Sequence, residues 1–356
     1  MDAAYKEKIT KICRAAAAAP SGDNSQPWRF VFRAPDMLEF HAIPEKDNAL
    51  LNVDESGTLI ALGAAIQNAE LEAKVLGFNP EIRYSKEGSL IATFTLHKEG
   101  DCSEVERRLQ QAITLRHSNR KAYKKTPLAP DDQQALFNAV GKLTSVSFSL
   151  VEDQKLMGII SRALTTMEEI ALKNKSIHKL FFESIFWSKE RNIEGKSGLY
   201  IKTLELPLPA QVLFKVLRYW PVASFLARIG FPKMVAETNA KQNASASAFG
   251  VIAVNRFDRT SYIEAGRLLE RVWLDTAVRG MSFQIVTGLL FLARAMEHET
   301  SSIFSIGERA SVLESYARIR ENLKGSSEPF LMFRVGYAAA PSAVSFRREP
   351  IIEDIR

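Results

Sequence analysis

Pro20-Ser21-Gly22-Asp23-Asn24-Ser25-Gln26-Pro27-Trp28-Arg29-Phe30 marks the point where the chain changes character. Before it, residues 3–19 carry Ile9, Ile12, Cys13 and Ala16 at helical spacing. Pro20 disfavours helical geometry at Ala19 and has no N–H to give, so the helix stops there. After it, Pro27-Trp28 turns the chain into a strand. Between the two lie neutral donors and acceptors on Ser21, Asn24, Ser25 and Gln26, while Gly22 lets the backbone approach a flat ligand. That inventory suits the edge of a polar heterocycle better than a metal or a nucleophile. It also suits an ordinary capping loop, and the residues alone leave both readings open.

Outward from this loop, 356 residues are enough for about two domains with a substantial core. Lys plus Arg number 47 against 41 acidic residues, a surplus that suits a small anionic ligand such as a phosphate and is too slight to argue for nucleic acid. Cys13 and Cys102 stand far apart with no Cys/His grouping, so neither a disulfide framework nor a metal centre is indicated, and a reducing compartment fits. Asp2 and Glu7 among Lys6, Lys8 and Lys11 do not read as a secretory signal, and the longest uncharged run, residues 280–293, is short of a membrane span; the expected location is cytoplasmic. No GxGxxG, GxSxG or HExxH is present.

In chain order, strands are expected at 29–33 and 37–43, a long alanine-rich helix at 59–76 stopped by Gly77, and a hairpin at 82–85 and 89–96. Ser103-Glu104-Val105-Glu106 reads as a capping box opening a helix to about 115. A helix at 130–140, a strand at 145–151, a helix at 152–173, a strand at 249–255, a helix capped at Ser261 and running to 279, a helix at 309–323 and a strand at 329–337 complete the set. The two long helices compare at one constant offset, which pairs Gly63 with Gly266, Leu71 with Leu274, Glu72 with Asp275 and Gly77 with Gly280. This predicts two copies of one α+β unit in a single chain, residues 1–102 and 103–356. Residues 174–243 form an excursion rich in aromatic and basic side chains. It reads equally as core helices and as a lid; a membrane-surface helix is a weaker third option, because its charges are sparse.

Arg116-His117-Ser118-Asn119-Arg120 places two guanidinium groups and a hydroxyl together, enough to surround a phosphate with charge-assisted bonds. With Lys121, Lys124 and Lys125 nearby, the residues alone favour a solvated basic strip over a ligand site.

Ala19-Pro20-Ser21-Gly22-x-Asn24-x-Gln26-Pro27-Trp28 resembles the flavin-contacting loop of the nitroreductase family, and Arg-x-Ser-x-Arg at 116–120 resembles that family's FMN phosphate and ribityl motif. The two motifs fall in different halves and together make one site. This is similar to the Acg-type branch, single-chain pseudo-dimers that hold one FMN beneath their own lid, as is Gly266-Arg267-x-Leu269-x-Arg271-Val272-Trp273-Leu274. The resemblance implies an α+β nitroreductase-like fold of two fused copies. It implies FMN contacts from Pro20, Ser21, Gly22, Asn24 and Gln26 at the ring, and from Arg116, His117, Ser118 and Arg120 at the phosphate. A C-terminal basic pair, here Arg347 and Arg348, joins the phosphate, and residues 284–288, with Gln284, Ile285 and Gly288, face the flavin N5 side. Ile285-Val286 stands where related sequences tend to have proline.

In function, the resemblance implies an FMN-binding oxidoreductase that takes hydride from NADH or NADPH and passes electrons to a nitroaromatic, quinone or similar small acceptor. The flavin would carry the chemistry, with no catalytic acid or base from the protein. The alternative is a protein that binds or sequesters FMN with little turnover. No nucleic-acid or membrane-spanning role is expected, and pairing beyond the internal pseudo-dimer is left open.

Overall fold

A computed structural model describes residues 3–33, 35–195, 198–298, 303–323, 325 and 327–355. Helix α1 (Ala3–Ala17) buries Ile9, Ile12, Cys13 and Ala16 and ends ahead of Pro20. The loop leads into β1 (Trp28–Arg33) and β2 (Met37–Ala42), whose alternating burial puts Leu38, Phe40 and Ala42 inward. Helix α2 (Ser56–Val75) is buried nearly all round, as a central helix should be. It ends at Gly77, whose φ of 84° suits glycine, and β3 (Phe78–Tyr84) and β4 (Leu90–Lys98) follow.

The capping box at Ser103 opens α3 (Glu104–Ala112), and Pro130 stands in the first turn of α4 (Pro130–Asn138). After β5 (Val146–Val151) the helix expected over 152–173 is broken at Thr165 into α5 (Gln154–Leu164) and α6 (Thr166–Lys173). The excursion comprises α7 (Lys175–Glu183), the two-residue strands β6 (Ile185–Phe186) and β7 (Leu199–Tyr200) on either side of α8 (Lys189–Gly195), then α9 (Leu208–Leu217), α10 (Trp220–Arg228) and α11 (Phe231–Asn243). It has a small core of its own, including Phe182, Tyr200, Leu217 and Ala223. The chain returns through β8 (Ala248–Val254), α12 (Arg259–Val278), β9 (Ser282–Ile285), α13 (Gly288–Glu297), α14 (Ile306–Asn322), β10 (Glu328–Gly336) and β11 (Ile352–Ile355). The cap of α12 is Asp258, which accepts from Ser261 N at 2.8 Å, so the helix starts before the expected Ser261.

The strands form the same pattern twice. One sheet runs β1-β2-β4-β3 and the other β5-β8-β10-β9, both antiparallel, each with its long helix between the second and third strands in chain order. Helices α2 and α12 cross where each has a glycine. A Cβ at Gly63 would run into the Ile263 carbonyl, and one at Gly266 into the Ile60 carbonyl. Under the offset that pairs Gly63 with Gly266, Ile60 pairs with Ile263, so the contact is reciprocal, as at a two-fold interface. One departure from a simple division at residue 102 is β11: it pairs in parallel with β1, Phe30 opposite Ile352, and brings the C-terminus onto the first sheet.

Candidate functional site

Between the two helices, the loop after α1 and the C-terminal strap lies a cavity of about 510 Å³. Its apolar wall comes from both halves: Ile60 and Ala61 on α2, Leu269 and Trp273 on α12, with Ile285, Phe291 and Leu331. Ser21, Asn24, Arg116, His117, Ser118, Arg120 and Arg347 supply polar lining. The cavity thus collects Pro20, Ser21, Gly22, Asn24, Arg116, His117, Ser118, Arg120, Ile285 and Arg347 from the residues singled out in the sequence.

Four others lie outside this lining. Gln26 is buried, donating to Asn24 O at 3.1 Å and accepting from Arg348 N at 2.8 Å, so it ties the loop to the C-terminal strap and takes Arg348 with it. Gln284 accepts from Arg334 Nε at 2.7 Å in the interior of the second half. Gly288 begins α13, and the nearest side-chain atom to a Cβ there is on Met167. The segment expected as a loop over 284–288 is the end of a strand and the start of a helix, and Ile285 and Thr287 are the parts that meet the cavity.

The loop is held in an unusual conformation. Asp23, Asn24 and Gln26 have φ of 45°, 59° and 57°, left-handed backbone that non-glycine residues seldom adopt. Asp47 secures it by accepting from Ser25 and Thr58. Asn24 uses its side chain on the strap, donating to Phe346 O at 2.9 Å and accepting from Arg347. Its amide therefore positions the strap as well as facing the cavity.

Because Pro20 stops α1, carbonyls just beyond its end lack helical partners. Arg116 Nη2 donates to Ala18 O at 2.8 Å and Arg347 Nε to Ala19 O at 3.2 Å. Cations at the negative end of the helix dipole are favourably placed. Arg116 also faces Glu270 Oε1 at 3.1 Å and lies over the Trp273 ring at 4.4 Å. Asn119 anchors the strip: it is buried, with its side chain donating to Ser282 Oγ at 3.0 Å and Ala339 O at 2.8 Å.

Electrostatically, this end of the cavity favours an anion. Burial, then the charge of Arg116, pushes Arg347 down to about 9, against the pull of Glu270; it stays cationic at neutral pH. Burial lowers Arg120 too, with Asp23 opposing, and Arg120 donates to Thr203 O at 3.1 Å. Burial and Arg116 hold His117 below its ordinary value, so its imidazole is neutral at pH 7. Burial raises Asp23 despite Arg120. Asp23 is open to the cavity yet ringed by protein, which reconciles its accessible surface with that desolvation. Ser118 has no hydrogen-bond partner among the described residues, leaving its hydroxyl for a ligand.

Asp23, Glu270, Leu199 and Thr203 belong to the site or its support but were not singled out, and Trp273 was named only within the Gly266–Leu274 motif, with no role at the site. The role of Trp273 was within reach of sequence reasoning, because it stands one helical turn after Leu269 on one of the two long helices paired by the glycine offset.

No family model matches the chain. It is 24% identical over 345 residues to an uncharacterized protein, MT1398, of Mycobacterium tuberculosis, covering 95% of this chain and 47% of that protein. The chain thus spans about half the length of the curated relative it matches. Solved structures it is similar to include the FMN-dependent nitroreductase NfnB of Mycobacterium smegmatis in complex with NADPH, 12% identical with a TM-score of 0.40 over 69% of this chain and 95% of that one. The nitroreductase with bound FMN of Bacteroides fragilis is 10% identical, with a TM-score of 0.36 over the same shares. Overlap is low in both cases, and FMN and NADPH are ligands of those proteins.

Proposed function

We propose that the cavity binds FMN and that the protein is an NAD(P)H-dependent flavin oxidoreductase of nitroreductase type, reducing a nitroaromatic, quinone or similar small acceptor. In this reading residues 1–102 and 103–356 are two nitroreductase-like halves of an intramolecular pseudo-dimer, and residues 174–243 hold its lid. One observation carries it: the loop after α1 and the Arg116 strip, from opposite halves, meet at a single cavity that is apolar along its wall and cationic at one end. A volume of about 510 Å³ is within the range of small-molecule sites.

The residues fit the cofactor in kind. Arg120, the hydroxyl of Ser118 and the remaining donors of Arg116 and Arg347 would take the phosphate through charge-assisted bonds. Trp273, Leu269, Ile60 and Ile285 offer the apolar surface a flat ring needs, and Ser21 and the loop backbone offer polar groups at its edge. Bound there, the flavin would supply hydride uptake from a nicotinamide and electron delivery to the acceptor. The chain's own task is to hold and orient the cofactor and to limit water around it.

A second reading, sequestration of FMN with little turnover, draws on Leu199 and Thr203 of the excursion and residues 343–345 of the strap, which also wall the cavity. A visible spectrum of the purified, FMN-supplemented protein tests the binding: absence of bound flavin defeats both readings. Arg120→Ala with Ser118→Ala is expected to release flavin, and unchanged retention refutes the phosphate assignment. NADPH oxidation with a nitroaromatic acceptor separates the two, since a rate no higher than that of free FMN leaves only sequestration.

A further inference from the structure

The excursion carries a surface that neither the cavity nor the core explains. From residue 206 to residue 236 there is no acidic side chain, while Lys215, Arg218, Arg228 and Lys233 give this stretch four positive charges in a protein whose formal net charge is +6. All four are exposed or half-buried at the surface. Apolar side chains stand in water between them. On α9, Leu208, Val212 and Val216 are exposed four residues apart along one helical face, and Leu213 stands half-exposed between that face and the buried Leu217. Phe225 on α10 and Ile229 just past its end stand one turn apart at 62% and 67% exposure, with Tyr219 ahead of α10 and Met234 on α11 also exposed.

The inner faces of these helices are satisfied by the excursion's own aromatic core, so the outer faces are surplus to folding. Exposed apolar side chains grouped in this way mark an interaction site. We propose that α9 and α10 dock this protein on the surface of an anionic lipid bilayer. An interface helix of this kind sets apolar side chains at the acyl boundary and Lys or Arg at the headgroups, with aromatic rings at the level between. Tyr219 is exposed between the two helices, and Arg218 stacks over it at 4.7 Å from its ring, so an aromatic ring and a guanidinium stand together at the edge of the apolar face. A second copy is a poorer occupant, because an isologous pairing would set these cations against themselves. Nucleic acid is poorer too: apolar side chains outnumber cations, and phosphodiester binding needs the reverse. Among the described residues no helix is long and apolar enough to cross a membrane, so the attachment is peripheral. Leu199 and Thr203, which wall the cavity, lie just upstream of α9, so docking would bring the cavity's cover to the bilayer.

Flotation of the full chain with vesicles tests this. It is expected to float with phosphatidylcholine vesicles containing phosphatidylglycerol, to stay behind with phosphatidylcholine alone, and to be released by high salt. Lys215→Gln with Arg218→Gln is expected to weaken the partition roughly 30-fold, from about a fivefold factor per surface cation. Phe225→Ser with Ile229→Ser, both at exposed positions, should abolish flotation with the circular dichroism spectrum unchanged. No flotation with either vesicle, or equal flotation with both, overturns the proposal. So does light scattering that finds a dimer dissolved by the Phe225→Ser, Ile229→Ser variant, which would make the face a self-interface.

Discussion

Replacing Gly63 with alanine puts a methyl carbon 3.0 Å from the carbonyl carbon of Ile263 and 3.1 Å from the amide nitrogen of Arg267, with the Ile263 oxygen nearer still. Gly266 is the reciprocal case, 2.7 Å and 2.9 Å from the carbonyl carbon and Cα of Ile60. Every obstructing atom is backbone of the opposing helix, so no rotamer change relieves the overlap and the helices must part. Two effects compete. Alanine is the better helix former by about 1 kcal/mol. Overpacking a tight interior costs ~1–3 kcal/mol, and a backbone obstruction falls at the upper end. Each single variant should therefore lose about 2 kcal/mol, the difference between the two effects. Once the helices have parted, the second substitution meets slack, so the double variant should lose less than the sum of the singles. Urea unfolding followed by tryptophan fluorescence measures this, read as a lower midpoint at unchanged slope. Because Ile60, Ala61 and Leu269 on the same helices wall the cavity, the proposed function adds that flavin retention should weaken in parallel. A Gly63→Ala protein as stable as its parent, or two glycine variants of grossly unequal cost, would refute the reciprocal crossing.

Burial pushes the Glu168 carboxyl from its ordinary 4.5 up to about 7, and its Oε2 is buried without a hydrogen-bond partner. The folded state then holds a proton that the unfolded state has released, so this group's stabilisation, at most about 3 kcal/mol, is complete below pH ~4.5 and lost as pH rises through 7. Glu168→Gln should flatten the fall in urea-unfolding free energy across that window, and an unaltered slope contradicts the assignment. Cys13 is fully buried and its thiol is raised by desolvation, whereas Cys102 is partly exposed. The native protein should therefore titrate one thiol with Ellman's reagent, and Cys102→Ser should remove it; persistent labelling would place Cys13 in contact with solvent. Asn24→Ala strips Phe346 O and Arg347 of a partner at a cost of ~1–3 kcal/mol confined to the strap. Faster proteolytic cleavage after residue 340 should report it, and unchanged cleavage would show that the amide does not hold the strap.

Local signals made much of the fold legible. Pro20 ended α1, and Ser103 and Glu106 opened α3 with both bonds of the capping box. The glycine offset carried further than a motif, because Gly63 and Gly266 each admit the other helix's backbone. What escaped was non-local. Strand β11 is four residues whose only warrant is pairing with β1, more than 300 residues earlier in the chain. Strand β9 and α13 hid in one apolar run because short buried strands and helices look alike without periodicity. At the site, residue types were legible but their commitments were not. Gln26 has the chemistry to hold a ligand, yet its amide is committed to Asn24 O and to the backbone N–H of Arg348.

The charge balance of the cavity explains why its parts must come from both ends of one chain. Arg116, Arg120 and Arg347 face the carboxylates of Glu270 and Asp23, and burial works against both signs: it lowers Arg120 and Arg347 and raises Glu270 and Asp23. The first half answers with neutral acceptors. Ala18 O and Ala19 O, set free by Pro20, take Arg116 and Arg347, and Asn24 takes Arg347 again. These bonds orient the guanidinium groups without cancelling their charge, and three guanidinium groups against two carboxylates leave a net positive field beside a low-dielectric wall. There a charge pair at ~4 Å is worth about 4 kcal/mol, against about 1 kcal/mol in water. An anion entering the cavity therefore gains what burial withheld from the arginines, and under the proposed function that anion is the flavin phosphate. Neither half can build this alone, because the second holds the cations and the first the helix end that aims two of them.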